Sequence, residues 1–274
     1  MPLSNLTDKV CVVTGAGNGI GRATALAFAE RGARVVATDI DRGRIDSLAE
    51  ELGSRALLAR AFDVADRAQF SAFADEVHAL TPAVDVVVNN AGVAVGGTFL
   101  DTSLDNWEWL VGVNLYGVVH GCHFFAPKMV ERGSGHIVNI SSIFGIYPAP
   151  QVTAYVASKF AVLGFSQSLR SELAPHGVGV TAICPGMIDT GIIDGGRMSG
   201  GVAQRQAKMA ATFKKRGSPP SLVAATIVDA LRTNPAVRTV GRDAWLMHQI
   251  TRVAPGLAHR AGGAVAKMFS RRGH

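Results

Sequence analysis

The sequence has little cysteine. Cys11, Cys122 and Cys184 are the three in 274 residues, each in apolar surroundings and without metal-ligand spacing. That excludes a disulfide scaffold and a cysteine-bound metal, and it predicts reduced core thiols in a cytoplasmic protein. No apolar run approaches the roughly 20 residues needed to cross a bilayer. The opening MPLSNLTDKVCVVTG lacks the basic region, apolar stretch and cleavage site of a secretory signal. Charged residues are few, 18% against 48% hydrophobic, which fits a globular chain and excludes a disordered or fibrous one.

Acids are missing from two late segments. Between residues 195 and 217 stand Arg197, Arg205, Lys208, Lys214, Lys215 and Arg216 with no Asp or Glu; from residue 244 onward stand Arg252, Arg260, Lys267, Arg271 and Arg272, again with none. These charges outnumber the net +6 of the whole chain, so the remainder is net acidic and the basic character is local. The first segment is either a solvated face or an attractor for an anionic handle on a substrate. The second is a candidate for peripheral contact with an anionic membrane surface. No recognition helix or aromatic platform accompanies either, so nucleic acid is not an expected partner.

What is present is alternation. Short β-branched runs at Lys9–Thr14, Arg34–Thr38, Arg55–Phe62, Val84–Asn89, His136–Ser141 and Val178–Cys184 are separated by helically spaced segments at Gly19–Arg31, Arg42–Leu52, Arg67–Leu80, Leu104–Glu131 and Val152–Pro175. Ser221–Arg232 and Ala236–Val240 add one more helix and strand. Such alternation predicts α/β architecture: one domain, a doubly wound parallel sheet of about seven strands, helices on both faces. Continuous apolar runs such as VDVVV at 84–88 suit strands buried on both sides. The expected division is a catalytic domain over 1–242, carrying a lid at about 187–217, and a basic extension over 243–274 with partial helix.

Several strand ends carry residues that suit a dinucleotide. Thr14-Gly15-Ala16-Gly17-Asn18-Gly19-Ile20-Gly21 lies between the first strand and the first helix. Glycines there let backbone approach a pyrophosphate, and the helix N-terminus supplies unpaired N–H groups. Gly15, Asn18, Gly19, Ile20 and Gly21 are therefore candidate cofactor contacts. Asp39 ends the second strand, where a carboxylate can accept ribose hydroxyls and repel a 2′-phosphate. This favours NAD over NADP, although Arg42 is near; alternatively Asp39 or Asp41 caps the next helix. Asp63 and Val64 follow the third strand, where they could meet adenine, and Asn90, Ala91 and Gly92 follow the fourth.

Tyr155 and Lys159 stand four residues apart on a predicted helix, so phenol and ammonium share a face. A tyrosine near 10 must move about 3 units to act near neutrality, and a neighbouring cation moves it that way. The pair is a candidate general acid/base. Ser142 closes the fifth strand 13 residues earlier and could orient a substrate oxygen; Ser141 competes for that role. Asn114, within an apolar helix, is either a satisfied core amide or an anchor for a proton-relay water.

In these ordered motifs, TGxxxGxG, NNAG, Asn114, Ser142, YxxxK and then Pro185-Gly186 with Thr190, the chain resembles the compact, single-domain branch of the short-chain dehydrogenase/reductase family. The resemblance covers about 180 residues. It implies a Rossmann-type fold, Tyr155 as proton donor or acceptor, Lys159 lowering its pKa and binding the nicotinamide ribose, Ser142 positioning substrate and Asn114 the relay. It also places Pro185, Gly186, Ile188 and Thr190 on the nicotinamide side. Phe144, Val152 and Met187 join Ser142 and Tyr155 around a small apolar substrate. A homo-oligomer, dimer or tetramer, is implied as well. The function expected is NAD-dependent interconversion of a secondary alcohol and a ketone on a steroid, terpenoid, acyl or aryl framework. A catalytically silent dinucleotide-binding sensor or scaffold on the same fold is the alternative, and an epimerase or dehydratase a further one.

Overall fold

The computed structural model describes residues 3–253 and residue 256. In chain order the elements are β1 (Val10–Thr14), α1 (Gly19–Ala29), β2 (Arg34–Asp39), α2 (Arg42–Leu52), β3 (Ala56–Ala61), α3 (Arg67–Leu80), β4 (Val86–Asn89), β5 (Val95–Gly96), α4 (Leu104–Val111) and α5 (Gly117–Arg132). There follow β6 (Gly135–Ile140), α6 (Thr153–Leu173), β7 (Val178–Pro185), β8 (Arg197–Met198), α7 (Gly200–Ala203), α8 (Gln206–Arg216), α9 (Pro220–Thr233), β9 (Val237–Val240) and α10 (Arg242–Val253). Seven strands form one parallel sheet in the order β3-β2-β1-β4-β6-β7-β9. The doubly wound α/β fold expected from the alternation is the fold observed. Winding reverses between β1 and β4, the switch point where open sheets of this kind hold ligands.

Each face of the sheet has its own core. On one side Phe28, Ile45, Leu48, Ile227 and Leu231 from α1, α2 and α9 pack on the sheet; on the other Phe70, Phe73, Phe125, Met129 and Val162 from α3, α5 and α6 do so. Each such side chain contributes roughly 1.5–3 kcal/mol by leaving water. Every residue of β1, β4 and β7 is buried, which is why these strands read as unbroken apolar runs. Local signals set the helix starts. Asn18, Asp41, Asp66 and Ser103 each accept a backbone N–H at the head of the helix that follows. No helix among the described residues is long and apolar enough to cross a membrane.

Two expectations need correction. The single helix expected over Leu104–Glu131 is two, α4 and α5, joined by a π-helical turn at Gly112–Tyr116. Gly112 and Gly117 flank that turn and pack against Ala65 and Val64, and periodicity alone does not register the inserted residue. The lid is not a plain loop: it contains β8, α7 and α8, and β8 pairs in parallel with β5 as a separate two-stranded sheet. The expected partial helix of the tail is α10 as far as Val253, while Arg260, Lys267, Arg271 and Arg272 lie outside the described residues.

A buried imidazole makes the sheet sensitive to acid. His136 in β6 lies against Thr181 in β7, with Nε2 3.0 Å from a hydroxyl that donates to the Pro235 carbonyl at 2.6 Å. That hydroxyl must accept from Nε2, so the proton sits there and Nδ1 is left without a partner among the described residues. Burial, with the nearby Arg170 charge, pushes the His136 pKa down to about 4. The unfolded imidazole titrates near 6.5, so this contribution to stability is complete above that pH and is lost as pH falls towards 4, by up to about 3 kcal/mol. Urea titrations of wild type and His136→Gln between pH 7 and pH 4 test this. The variant keeps a donor for Thr181 and is expected to lose distinctly less stability over that interval; parallel losses would show that another group is responsible.

Candidate functional site

The parallel sheet puts the carboxyl ends of β1, β2, β4, β6 and β7 along one edge, and the segments singled out by sequence meet there. Asn90 ties two of them together. Its side-chain amide donates to the carbonyls of Thr14 and Gly15 at 2.9 and 3.0 Å, and its backbone N–H donates to the Thr14 hydroxyl at 3.0 Å. Ala91 donates to the same hydroxyl at 3.1 Å. The glycine turn is thereby bound to the end of β4 across the switch point.

That turn tolerates no side chains on its inner side. Gly15 and Gly19 have φ of 62° and 53°, in the left-handed region that favours glycine. A Cβ on Gly21 would run into the Gly15 carbonyl. A Cβ on Gly17 would come within 2.9 Å of the Asp39 carboxylate, and one on Gly19 within 2.9 Å of Thr190. Asp39 and Thr190 thus face the turn across a space that only glycine leaves open. With the head of α1 beside it, this cradle fits a dinucleotide pyrophosphate. Asn18 caps α1 by accepting from the Gly19 N–H at 2.7 Å, and Ile20 follows in its first turn.

Asp39 accepts the Gly17 N–H at 2.9 Å on one oxygen and the Asp41 N–H at 3.0 Å on the other. A carboxylate has about four acceptor positions, so two remain for ribose hydroxyls. Asp41, not Asp39, caps α2. The nearby cations are already held by acids, Arg42 by Asp46 and Arg44 by Asp41, each at 3.2 Å. Asp63 accepts the Ala65 N–H at 2.9 Å, and the Val64 carbonyl lies 2.9 Å from the His120 ring.

The chemical groups gather on the other side of β4. The Ser142 side chain lies beside the Tyr155 phenol and favours its ionised form, and its oxygen accepts the Phe144 N–H at 3.1 Å. Phe144 meets the Tyr155 ring edge-on at 6.2 Å. The Lys159 ammonium lies 5.7 Å from the centre of the Tyr155 ring and donates to the Ile140 carbonyl at 3.0 Å. Ser141 turns away and donates to the Lys159 carbonyl at 2.8 Å, so of the two serines it is Ser142 that faces the phenol. A Cβ at Gly92 would lie 3.4 Å from the Asn114 side chain and 3.5 Å from the ammonium, placing the NNAG loop beside both. The Asn114 amide is committed elsewhere. It accepts from Val93 N–H at 2.8 Å and donates to the Val93 carbonyl at 3.0 Å and the Ser158 hydroxyl at 3.2 Å. Val152 heads α6 and bridges Gly97.

Burial works against ionisation here. It pushes Tyr155 up to about 12, with the Ser142 hydrogen bond pulling the other way, and it pushes Lys159 down to about 8. The expected downward shift of the phenol is absent from the protein alone because both groups are desolvated together. The resting pair is a protonated phenol beside an ammonium whose charge burial disfavours.

Pro185 ends β7, and the next residues start the lid. Gly186 donates to the Val240 carbonyl at 2.8 Å, and the Met187 carbonyl accepts the Ser218 N–H at 2.9 Å. Ile188 buries its side chain in the core, so only its backbone is available to a ligand, while Thr190 faces Gly19. The lid strand is clasped from α4: Arg197 stacks on Trp109 at 3.9 Å and donates to Asn106 at 3.3 Å. Sequence reasoning missed Ser158, the partner of Asn114, and Asp243, which accepts the Met187 N–H at 3.0 Å. Ser158 stood unexamined inside YVASK. Asp243 had a signal, as the last acid before an acid-free tail.

The chain matches the family model for short chain dehydrogenase over residues 9–197. EphD of Mycobacterium tuberculosis, described as an oxidoreductase, is 41% identical over 267 residues, covering 93% of this chain; the chain spans 44% of that relative's length. SadH of the same organism, also described as an oxidoreductase, is 38% identical over 275 residues, covering 97% of this chain and 99% of the relative. Among solved structures, a short chain dehydrogenase/reductase from Burkholderia phymatum in complex with NAD superposes with a TM-score of 0.85 at 29% identity, covering 93% of this chain and 96% of that one. A Beutenbergia cavernae protein with bound NADP at low occupancy superposes at 0.74 with 32% identity, covering 86% and 96%.

The glycine cradle gives a direct test. Gly21→Ala is expected to weaken NADH binding at least tenfold, about 1.4 kcal/mol, in calorimetric titration of protein whose circular dichroism is unchanged. Binding as tight as wild type would mean that the turn does not enclose the pyrophosphate.

Proposed function

The chain belongs to the short-chain dehydrogenase family, and from that membership we propose that it is an NAD-dependent dehydrogenase/reductase interconverting secondary alcohols and ketones on an apolar substrate. One observation carries the reading: Ser142, Tyr155 and Lys159 come together beside the NNAG loop, next to a glycine turn that fits a dinucleotide.

When bound, the nicotinamide would donate or accept the hydride and, in its oxidised form, bring a positive charge near Tyr155. The protein's part is to hold and move the proton. Ser142 orients the substrate oxygen towards the Tyr155 hydroxyl. In the reductive direction Tyr155 donates its proton to that oxygen; in the oxidative direction the phenolate removes it. Lys159, anchored on Ile140, stabilises the phenolate through its charge. Asn114 fixes the distance between the NNAG loop and α6 through Val93 and Ser158, so its side chain serves as a clamp. Gly15 to Gly21, Asp39, Asp63, Val64, Asn90 to Gly92 and Thr190 would hold the dinucleotide. Asp39 supports NAD over NADP, since among the described residues the cations beside it, Arg42 and Arg44, are already paired with Asp46 and Asp41. The substrate lies among Phe144, Val152 and Met187, which offer it no charge.

Tyr155→Phe is expected to lower kcat at least a thousandfold with apolar ketones, the upper range for a lost acid/base, while NADH still binds in calorimetry. Turnover near wild type in that variant would remove the mechanism.

Tyr155 is held protonated, so ketone reduction should be level near neutrality and decline at high pH. Alcohol oxidation should climb with pH, by at most about tenfold per unit. Initial rates in both directions between pH 6 and 10 check the sign; oxidation falling with pH would contradict it.

Asp39→Ser is expected to narrow the NAD/NADP ratio of kcat/KM by about a hundredfold, through loss of ribose acceptors and of repulsion together. An unchanged ratio would place cofactor choice elsewhere.

A further inference from the structure

We propose that Asp243 is a positioning residue for the hinge of the lid, and that α10, which it heads, is part of the active site and not an appended extension. The proposal rests on the dehydrogenase reading for its kinetic consequence, and on geometry alone for its structural one.

Asp243 stands in the first turn of α10, where an acid ordinarily does no more than favour the helix dipole. Here its carboxylate leaves the helix. One oxygen accepts the Met187 N–H at 3.0 Å, across 56 residues of sequence. Two glycines clear the path. A Cβ on Gly186 would strike both carboxylate oxygens, and one on Gly241, whose φ is 96°, would lie 2.5 Å from Oδ1. The same two residues of the hinge are held on their other sides by Val240 and Ser218, so Asp243 completes a three-sided clamp on the peptide where the lid leaves β7.

From that peptide the chain runs to Ile188, locked in the core, and to Thr190 over Gly19. The orientation of the Gly186–Met187 peptide therefore sets how the lid meets the cleft. α10 also reaches the opposite wall. It packs against β9 and against the turn at Ile143–Gly145, which carries Phe144 beside Tyr155. Ala244, the next residue, has no exposed surface, so the start of α10 is anchored in the core. Without the carboxylate, the Met187 N–H would lose its acceptor and the hinge would rotate on the two bonds that remain.

The test compares full-length wild type, Asp243→Ala and Asp243→Asn. Asn keeps an oxygen acceptor and loses the charge; Ala loses both. Two measurements are made: hydrogen exchange of the peptide containing Met187, and KM and kcat for an apolar ketone with NADH. Asp243→Ala is expected to speed exchange at Met187 about tenfold and to raise the ketone KM about tenfold, with kcat within about threefold of wild type. Asp243→Asn is expected to restore most of both. A merely structural acid would lower the melting temperature and leave KM and Met187 exchange unchanged, and a pure dipole effect would make Asn as poor as Ala; either result overturns the proposal. If Asp243→Ala does not fold, Asp243→Ser, too short to span to Met187, takes its place. Should wild type turn over no ketone while Tyr155→Phe binds NADH like wild type, the dehydrogenase reading fails, and exchange at Met187 alone decides this one.

Discussion

The side-chain amide of Asn114 joins the parts on which the site depends. It sits fully buried in the π-helical turn between α4 and α5, spends both its acceptor and its donors on Val93 and Ser158, and so fastens the loop after β4 to the helix that carries Tyr155 and Lys159. Burying an amide is costly unless every polar atom is met. Here the bonds run to two different segments, and the cost of leaving any of them unmade enforces their spacing. Asn90 does the equivalent work on the other side of the loop, holding the glycine turn. Two asparagines thus set the distance between the glycine turn and the Tyr155–Lys159 pair.

The fold was legible because its signals are local and redundant. Alternation of short apolar runs and helical segments, side-chain acceptors at the heads of α1 to α4 and glycines at the first turn all point the same way. Ser142, Tyr155 and Lys159 were legible for a similar reason: helical spacing puts the last two on one face, and the sheet edge supplies the first. Ser142 is preferred over Ser141 because neighbours along a strand point to opposite faces, and the backbone of α6 does take Ser141. The break in the helix at Gly112–Tyr116 was hidden because one extra residue scarcely disturbs an apolar pattern. The structure of the lid was hidden because strands of two residues leave no periodicity, and β8 exists only because β5 is there to pair with it.

The proton affinities show a limit of a different kind. Sequence places an ammonium near a phenol and implies an acidic tyrosine. Burial of both raises one and lowers the other, and desolvation is the largest cause in each case. Neither effect can be judged from spacing, because spacing says nothing about water.

The small β5–β8 sheet bears on how the lid could move. The lid is laced to the body by a ladder of backbone bonds, with a guanidinium laid flat on an indole beside it. Moving the lid off the body would mean breaking those backbone bonds and that stacking together, so the seam holds or yields as one piece.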